Sequence, residues 1–141
     1  MVTTIIAHNH TDSATLQRIV NSAGCNSDIV TDTTQAVHAL RAHKVPVMIL
    51  GDEFGGSDTL ELISLFKQVN KRVKIILLAD TDSVTFLRKA RSAGIFYHAL
   101  ELETDEDITE LTLALEAAKD ASLKQQSGIF GKIAQVVPTL G

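Results

Sequence analysis

Short apolar or β-branched runs alternate with stretches whose apolar side chains recur at helical spacing along most of the chain. That alternation marks repeated strand–helix units on a parallel sheet. Residues 2–7 read as the first strand. Thr11 or Asp12 then caps a helix in which Leu16, Ile19, Val20 and Ala23 recur at i, i+3, i+4 and i+7, and Gly24 stops it. A second strand is expected over 28–31, and a second helix from Thr33 and Thr34 through Val37 and Leu40 to about His43. Residues 46–50 are almost continuously apolar, as a central strand buried on both faces requires, and they end abruptly at Gly51.

The next segment, Gly51 to Ser57, leads to Asp58, an N-cap candidate with Glu61 three residues on. Leu62, Leu65 and Phe66 are then expected to line a third helix. Residues 73–78 form a fourth apolar strand. Asp82 or Ser83 opens a helix carrying Val84, Leu87 and Ala90, which Ala93–Gly94 closes, and 95–100 is the fifth strand. The fifth helix is expected over 105–124, with Ile108, Leu111, Leu115 and Ala118 on one stripe and acidic side chains in its first turn. Right-handed crossovers put helices on both faces of a five-stranded, doubly wound parallel sheet, an α/β architecture of the flavodoxin type. The units end near 124. Residues 125–128 are linker-like, and 132–137 read as one more strand, the lead-in to a further domain.

Composition agrees with a single packed domain over 1–124. Of 141 residues, 45% are hydrophobic and 21% charged, with two prolines, and a chain of this size buries roughly 68 to 70% of its unfolded surface without staples. The lone Cys25 cannot form an internal disulfide and belongs to no CxxC motif; it reads as an incidental turn thiol and favours a reducing compartment. Thirteen basic against seventeen acidic residues give a net charge of -4, the wrong sign for gripping nucleic acid through bulk electrostatics. No apolar run approaches the ~20 residues that span a bilayer. The N-terminus lacks the basic region of a signal peptide, so the cytoplasm is the expected location.

Ligands of an open doubly wound sheet bind at the carboxyl ends of its strands. Those ends are Ala7–His8–Asn9–His10, Gly51–Asp52–Glu53, Ala79–Asp80 and Glu101. The order and spacing of elements, the Leu60–Glu61–Leu62 helix start and the Ala93–Gly94 turn together resemble the CheY-like receiver domain of bacterial response regulators, over about residues 2–124. The resemblance implies acidic Mg²⁺ ligands after strand one, a phosphoaccepting aspartate ending strand three, a Thr or Ser ending strand four, and a Lys-Pro pair ending strand five. Counting back nine residues from Leu60 puts Gly51 at the acceptor position, with Asp52 one residue late. Counting back sixteen from Gly24 puts the acid pair on Ala7 and His8, or on His8 and Asn9 with a one-residue gap. The hydroxyl position is Ala79, or Leu78 with a shift; the lysine position is Glu101, and Leu102 replaces the proline.

None of these residues supplies the chemistry of phosphotransfer. Glycine has no nucleophile, imidazole is a poor ligand for a hard cation, and Glu101 repels where lysine attracts. The expectation is a pseudo-receiver with a degenerate phosphorylation pocket at His8, Asn9, Gly51, Asp52, Ala79 and Glu101, without enzymatic activity, metal or cofactor. The alternative is a phosphoaccepting receiver of a two-component system that uses Asp52, which requires strand three to slip by one residue and turn its side chains to the opposite face.

Other features have plainer readings. His8, His10 and His98 suggest a zinc site, but no fourth ligand has recognisable spacing and loop histidines are usually solvated. The Gly51–Gly56 segment lacks the Gly-Lys-Ser/Thr ending of a phosphate cradle and reads as a flexible loop. Glu101, Glu103, Asp105, Glu106, Asp107 and Glu110 suit the positive end of a helix dipole, and could also face a basic partner. No hydrolase elbow or His-Glu-x-x-His motif is present.

The receiver resemblance also implies that the face made by helix four, strand five and helix five mediates dimers and partner contacts. Here that face includes Arg88, Arg91, Tyr97, His98 and Leu100. Residues 131–141 are similar to the lead-in strand of MinD-like ATPases, and a degenerate receiver joined to such an ATPase is the layout of the TadZ/CpaE family of pilus assembly and localisation proteins. The expected function is therefore phosphorylation-independent targeting or dimerisation of a pilus assembly ATPase.

Overall fold

The computed structural model describes residues 2–9 and 13–126. The expected cap at Thr11 or Asp12, His10, and the strand over 132–137 lie outside the described residues. Five strands, β1 (Thr3–Ala7), β2 (Asn26–Ile29), β3 (Val47–Gly51), β4 (Lys74–Leu78) and β5 (Tyr97–Ala99), alternate with α1 (Ser13–Ser22), α2 (Thr33–Ala42), α3 (Thr59–Val69), α4 (Val84–Ala93) and α5 (Asp105–Gln126). All pairings are parallel and the strand order is β2-β1-β3-β4-β5. The order reverses between β1 and β3, so the switch-point crevice opens at the carboxyl ends of these two strands.

Alternation along the central strands divides the core in two. Ile5, Met48, Leu50 and Ile75 pack with Ile63 and Phe66 on the side of α2, α3 and α4. Ile6, Ile49 and Ile76 pack with Leu16, Val20, Leu111 and Leu115 on the side of α1 and α5. Cys25, just after the turn that ends α1, is buried in this second core.

Side-chain caps fix where the helices start. Asp32 accepts from Gln35 N at 2.8 Å, Asp58 from Glu61 N at 3.0 Å and Ser83 Oγ from Phe86 N at 3.2 Å, so Ser83 rather than Asp82 opens α4. Gly94 ends α4 at φ +112, a left-handed position open to glycine. The glycine-rich segment is not an open loop: Phe54–Gly56 makes a 3-10 turn and Phe54 is fully buried. On α3, Ile63 joins Leu62 and Phe66 in the core while Leu65 faces solvent. On α4, Ala90 is buried but Val84 is 67% exposed. The helix α5 runs through Gln126, two residues beyond the expected boundary.

Candidate functional site

Parity on the sheet decides which residues meet at the switch point. On β3, Val47 and Ile49 point towards α1 and α5, and Met48 and Leu50 towards α2–α4. Gly51 continues the first set and Asp52 the second. His8, two residues past Ile6 on β1, shares the face of Gly51, and so does Glu101, two residues past Ala99 on β5.

The imidazole of His8 has no exposed surface, and its Nε2 lies 2.9 Å from Glu101 Oε1 and 3.1 Å from Oε2. A carboxylate only accepts, so Nε2 carries the proton and donates. The ring lies over Gly51: a methyl group added there would stand 2.6 Å from His8 Cδ2 and 3.2 Å from Nε2. Any larger side chain at position 51 displaces the imidazole. The backbone N–H of Glu101 donates to Asp80 Oδ1 at 2.9 Å, which fixes the strand-five loop against the strand-four loop.

Asp52 belongs to a different network. Its carboxylate is exposed and accepts from Thr59 Oγ1 at 2.5 Å; Thr59 Oγ1 in turn accepts from Glu53 N at 2.9 Å. Glu53 sits in the left-handed region at φ 52, and its carbonyl accepts from Asn9 Nδ2 at 3.1 Å. Ala79 is buried, and its carbonyl accepts from His98 Nε2 at 2.7 Å. His98 is thereby tied to the end of β4, and Leu102 packs against the core on the α1 and α5 side.

The six positions expected at the pocket therefore form one bonded pair over a glycine, His8 and Glu101 over Gly51, with Asn9 and Asp52 joined separately through Glu53 and Thr59. Glu53 and Asp80 are legible only as residues at strand ends, and Thr59 not at all, because each acts through a backbone group or a neighbour. Of the suggested zinc ligands, His8 is on Glu101 and His98 is on a carbonyl. Among the described residues, no three His, Cys, Asp or Glu side chains gather as a metal-ligand set.

Away from this end, the α4–β5–α5 face carries exposed apolar surface. Tyr97 is 39% exposed, Leu100 45% and Leu113 60%, and Val84 and Phe96 add to them, with Arg88 and Arg91 exposed on α4. A groove of about 510 Å³ runs between β5 and α5, lined by Phe96, Tyr97, Leu113 and Ala117. The Tyr97 hydroxyl donates to Glu110 Oε1 at 3.1 Å, and that bond, with some burial, holds its pKa above 10.0. Helical spacing alone missed Leu113, which lies off the buried stripe of α5.

Sheet order, crossovers and the position of the crevice define a flavodoxin/CheY-like α/β receiver fold. Solved structures of that fold match it closely. The signal receiver domain of an HD-domain protein from Pseudomonas fluorescens superposes with a TM-score of 0.73 at 19% identity, covering 89% of this chain and 92% of that one. The beryllofluoride-activated NtrC4 receiver domain dimer gives 0.68 at 18% identity, over 84% and 99%. A chain from Burkholderia thailandensis named for pilus assembly (CpaE) gives 0.63 at 21% identity, over 88% and 99%. No protein-family model and no curated protein matches the sequence. Among the described residues no helix is long and apolar enough to cross a membrane.

Proposed function

We propose that this chain is a receiver-like interaction module that works without phosphorylation, meeting protein partners or a second copy of itself through the α4–β5–α5 face. The observation that carries the reading is the His8–Glu101 pair closed over Gly51. Phosphoryl transfer to a receiver needs a carboxylate nucleophile, oxygen ligands for a divalent cation and a cation to offset the charge of the product. At the corresponding positions stand a glycine, an imidazole with its Nε2 proton on a carboxylate, and the carboxylate itself. Glu101 places negative charge where a phosphoaspartate would need positive charge. Asp52 is held by the Thr59 hydroxyl on the α3 side of the sheet, away from that pair.

The pilus-assembly setting is supported by the CpaE neighbour and by the similarity of 131–141 to the lead-in strand of MinD-like ATPases. On this reading residues 1–124 are the receiver-like unit, 125–141 lead into an ATPase domain, and the module itself carries no catalysis, cofactor or metal. Cytoplasmic location belongs to the same proposal and is supported by the single free thiol at Cys25.

Incubation with acetyl phosphate and Mg²⁺, followed by intact-mass measurement, should leave the mass of the protein unchanged. A gain of one phosphoryl group that Asp52→Asn abolishes would replace this reading with that of a phosphoaccepting receiver.

A further inference from the structure

The end of the sheet opposite the His8–Glu101 pair carries the reverse charge. No carboxylate occurs between Asp32 and Asp52 or between Glu61 and Asp80, yet these segments hold Arg41, Lys44, Lys67, Lys71, Arg72 and Lys74, six of the chain's 13 Lys and Arg residues. The ends of α2 and α3 bring Arg41, His43, Lys44, Lys71 and Arg72 around one open groove of about 650 Å³ with no acidic side chain in its lining.

Basic residues at helix C-termini usually serve the terminal carbonyls. Here the neutral Asn70 does that work at the end of α2, and Lys67 alone among the basic residues bonds carbonyls, in the loop after α3. Asn70 Nδ2 donates to Leu40 O and His43 O, both at 2.9 Å, and also reaches Lys44 O, while its Oδ1 accepts from Arg72 N. Lys67 Nζ donates to Lys71 O at 2.9 Å and Val73 O at 3.1 Å. Burial first, and then the nearby Lys74 charge, lowers the pKa of Lys67. The Arg41, Lys44, Lys71 and Arg72 side chains are exposed at the bases of α2 and α3 and have no ion-pair partner among the described residues.

We infer that the groove between the C-terminal ends of α2 and α3 docks an acidic segment of a partner protein. Three features set this occupant apart from other polyanions. The groove is concave and polar, and no large apolar side chain is exposed at 40–44 or 67–74 to enter a lipid surface. It offers no Phe, Tyr or Trp on which a base could stack, His43 being its one ring. Four separate cationic heads on two helix ends fit a run of carboxylates spaced along a peptide. The groove lies outside the α4–β5–α5 face, so the inference does not depend on the function proposed above.

A fluorescein-labelled twelve-residue Glu/Ser peptide, titrated with the intact chain and followed by anisotropy, tests it. Saturable binding is expected that weakens with added NaCl, falls by about tenfold or more in the Lys71→Glu/Arg72→Glu variant, and changes less than about twofold in Arg88→Glu/Arg91→Glu, which removes as many charges from α4. Circular dichroism checks that each variant is folded, and the single Arg41→Glu change, at an exposed helix end, gives an independent arm. Absence of saturable peptide binding, equal losses in the α3 and α4 variants, or binding to anionic phosphatidylserine vesicles or single-stranded DNA with the peptide inert would each overturn the inference.

Discussion

Position 51 illustrates how much one missing side chain can determine. Its backbone does not need glycine, since Gly51 is not among the residues with positive φ; only the His8 ring excludes a Cβ. Gly51→Ala should therefore destabilise the fold by about 1–3 kcal/mol, the usual cost of overpacking. In a His8→Ala background the same change should cost much less, giving a coupling of at least about 0.5 kcal/mol in a double-mutant cycle by chemical denaturation. Equal costs in both backgrounds would mean that the ring does not hold the space. Read as residues, glycine, histidine and glutamate at three loops are three separate losses of function. Folded together they are mutually compatible: the ring fits because position 51 is bare, and its proton is accepted because position 101 is acidic. The identities were legible in the sequence, but this dependence was not, because the three residues are joined only through strand parity across β1, β3 and β5.

At the scale of elements, legibility follows how much of the local pattern tertiary pairing overrides. The central strands read almost to the residue, since continuous apolar runs such as 73–78 admit few alternatives. The edge strand β2 lies two residues earlier than its β-branched run suggests, because hydrogen bonding to β1 sets Thr3 against Asn26 and Ile6 against Ile29. The α5 start shows the opposite case, an element legible by its chemistry. Thr104 Oγ1 accepts from Asp107 N at 3.2 Å, and Asp107 Oδ2 accepts from Thr104 N and Glu103 N, both at 3.0 Å, a reciprocal capping box. The Glu103 and Thr104 backbone N–H groups hold the Asp107 carboxyl below its usual 3.8. A depressed carboxyl stabilises the fold above the unfolded value, and that contribution is lost as pH falls through the lower folded value. Asp107→Asn should thus lower Tm at neutral pH, and the difference from wild type should shrink in solutions well below pH 3.8. A Tm difference independent of pH would show that the carboxylate charge is not what the cap uses.

Over the whole molecule, charge and apolar surface are separated. Carboxylates such as Glu53, Asp80 and Glu101 gather at the carboxyl ends of the strands, the basic groove sits at the opposite end, and the exposed apolar residues lie along α4, β5 and α5. Separation of this kind lets each surface be altered alone, because substitutions with no shared partners act nearly additively. Leu113, 60% exposed on the wall of the β5–α5 groove, is the position where a charge would disturb contacts and leave the core intact. Sedimentation equilibrium over a concentration series should show the wild-type chain forming a heavier species that Leu113→Asp removes, with the Tm of the variant nearly unchanged, since surface changes usually fall within about 0.5 kcal/mol. Lys71→Glu/Arg72→Glu should leave that species in place. If wild type stays monomeric at every concentration, the α4–β5–α5 face does not pair with itself, and its Phe96, Tyr97 and Leu113 surface is left to partners of a different sequence.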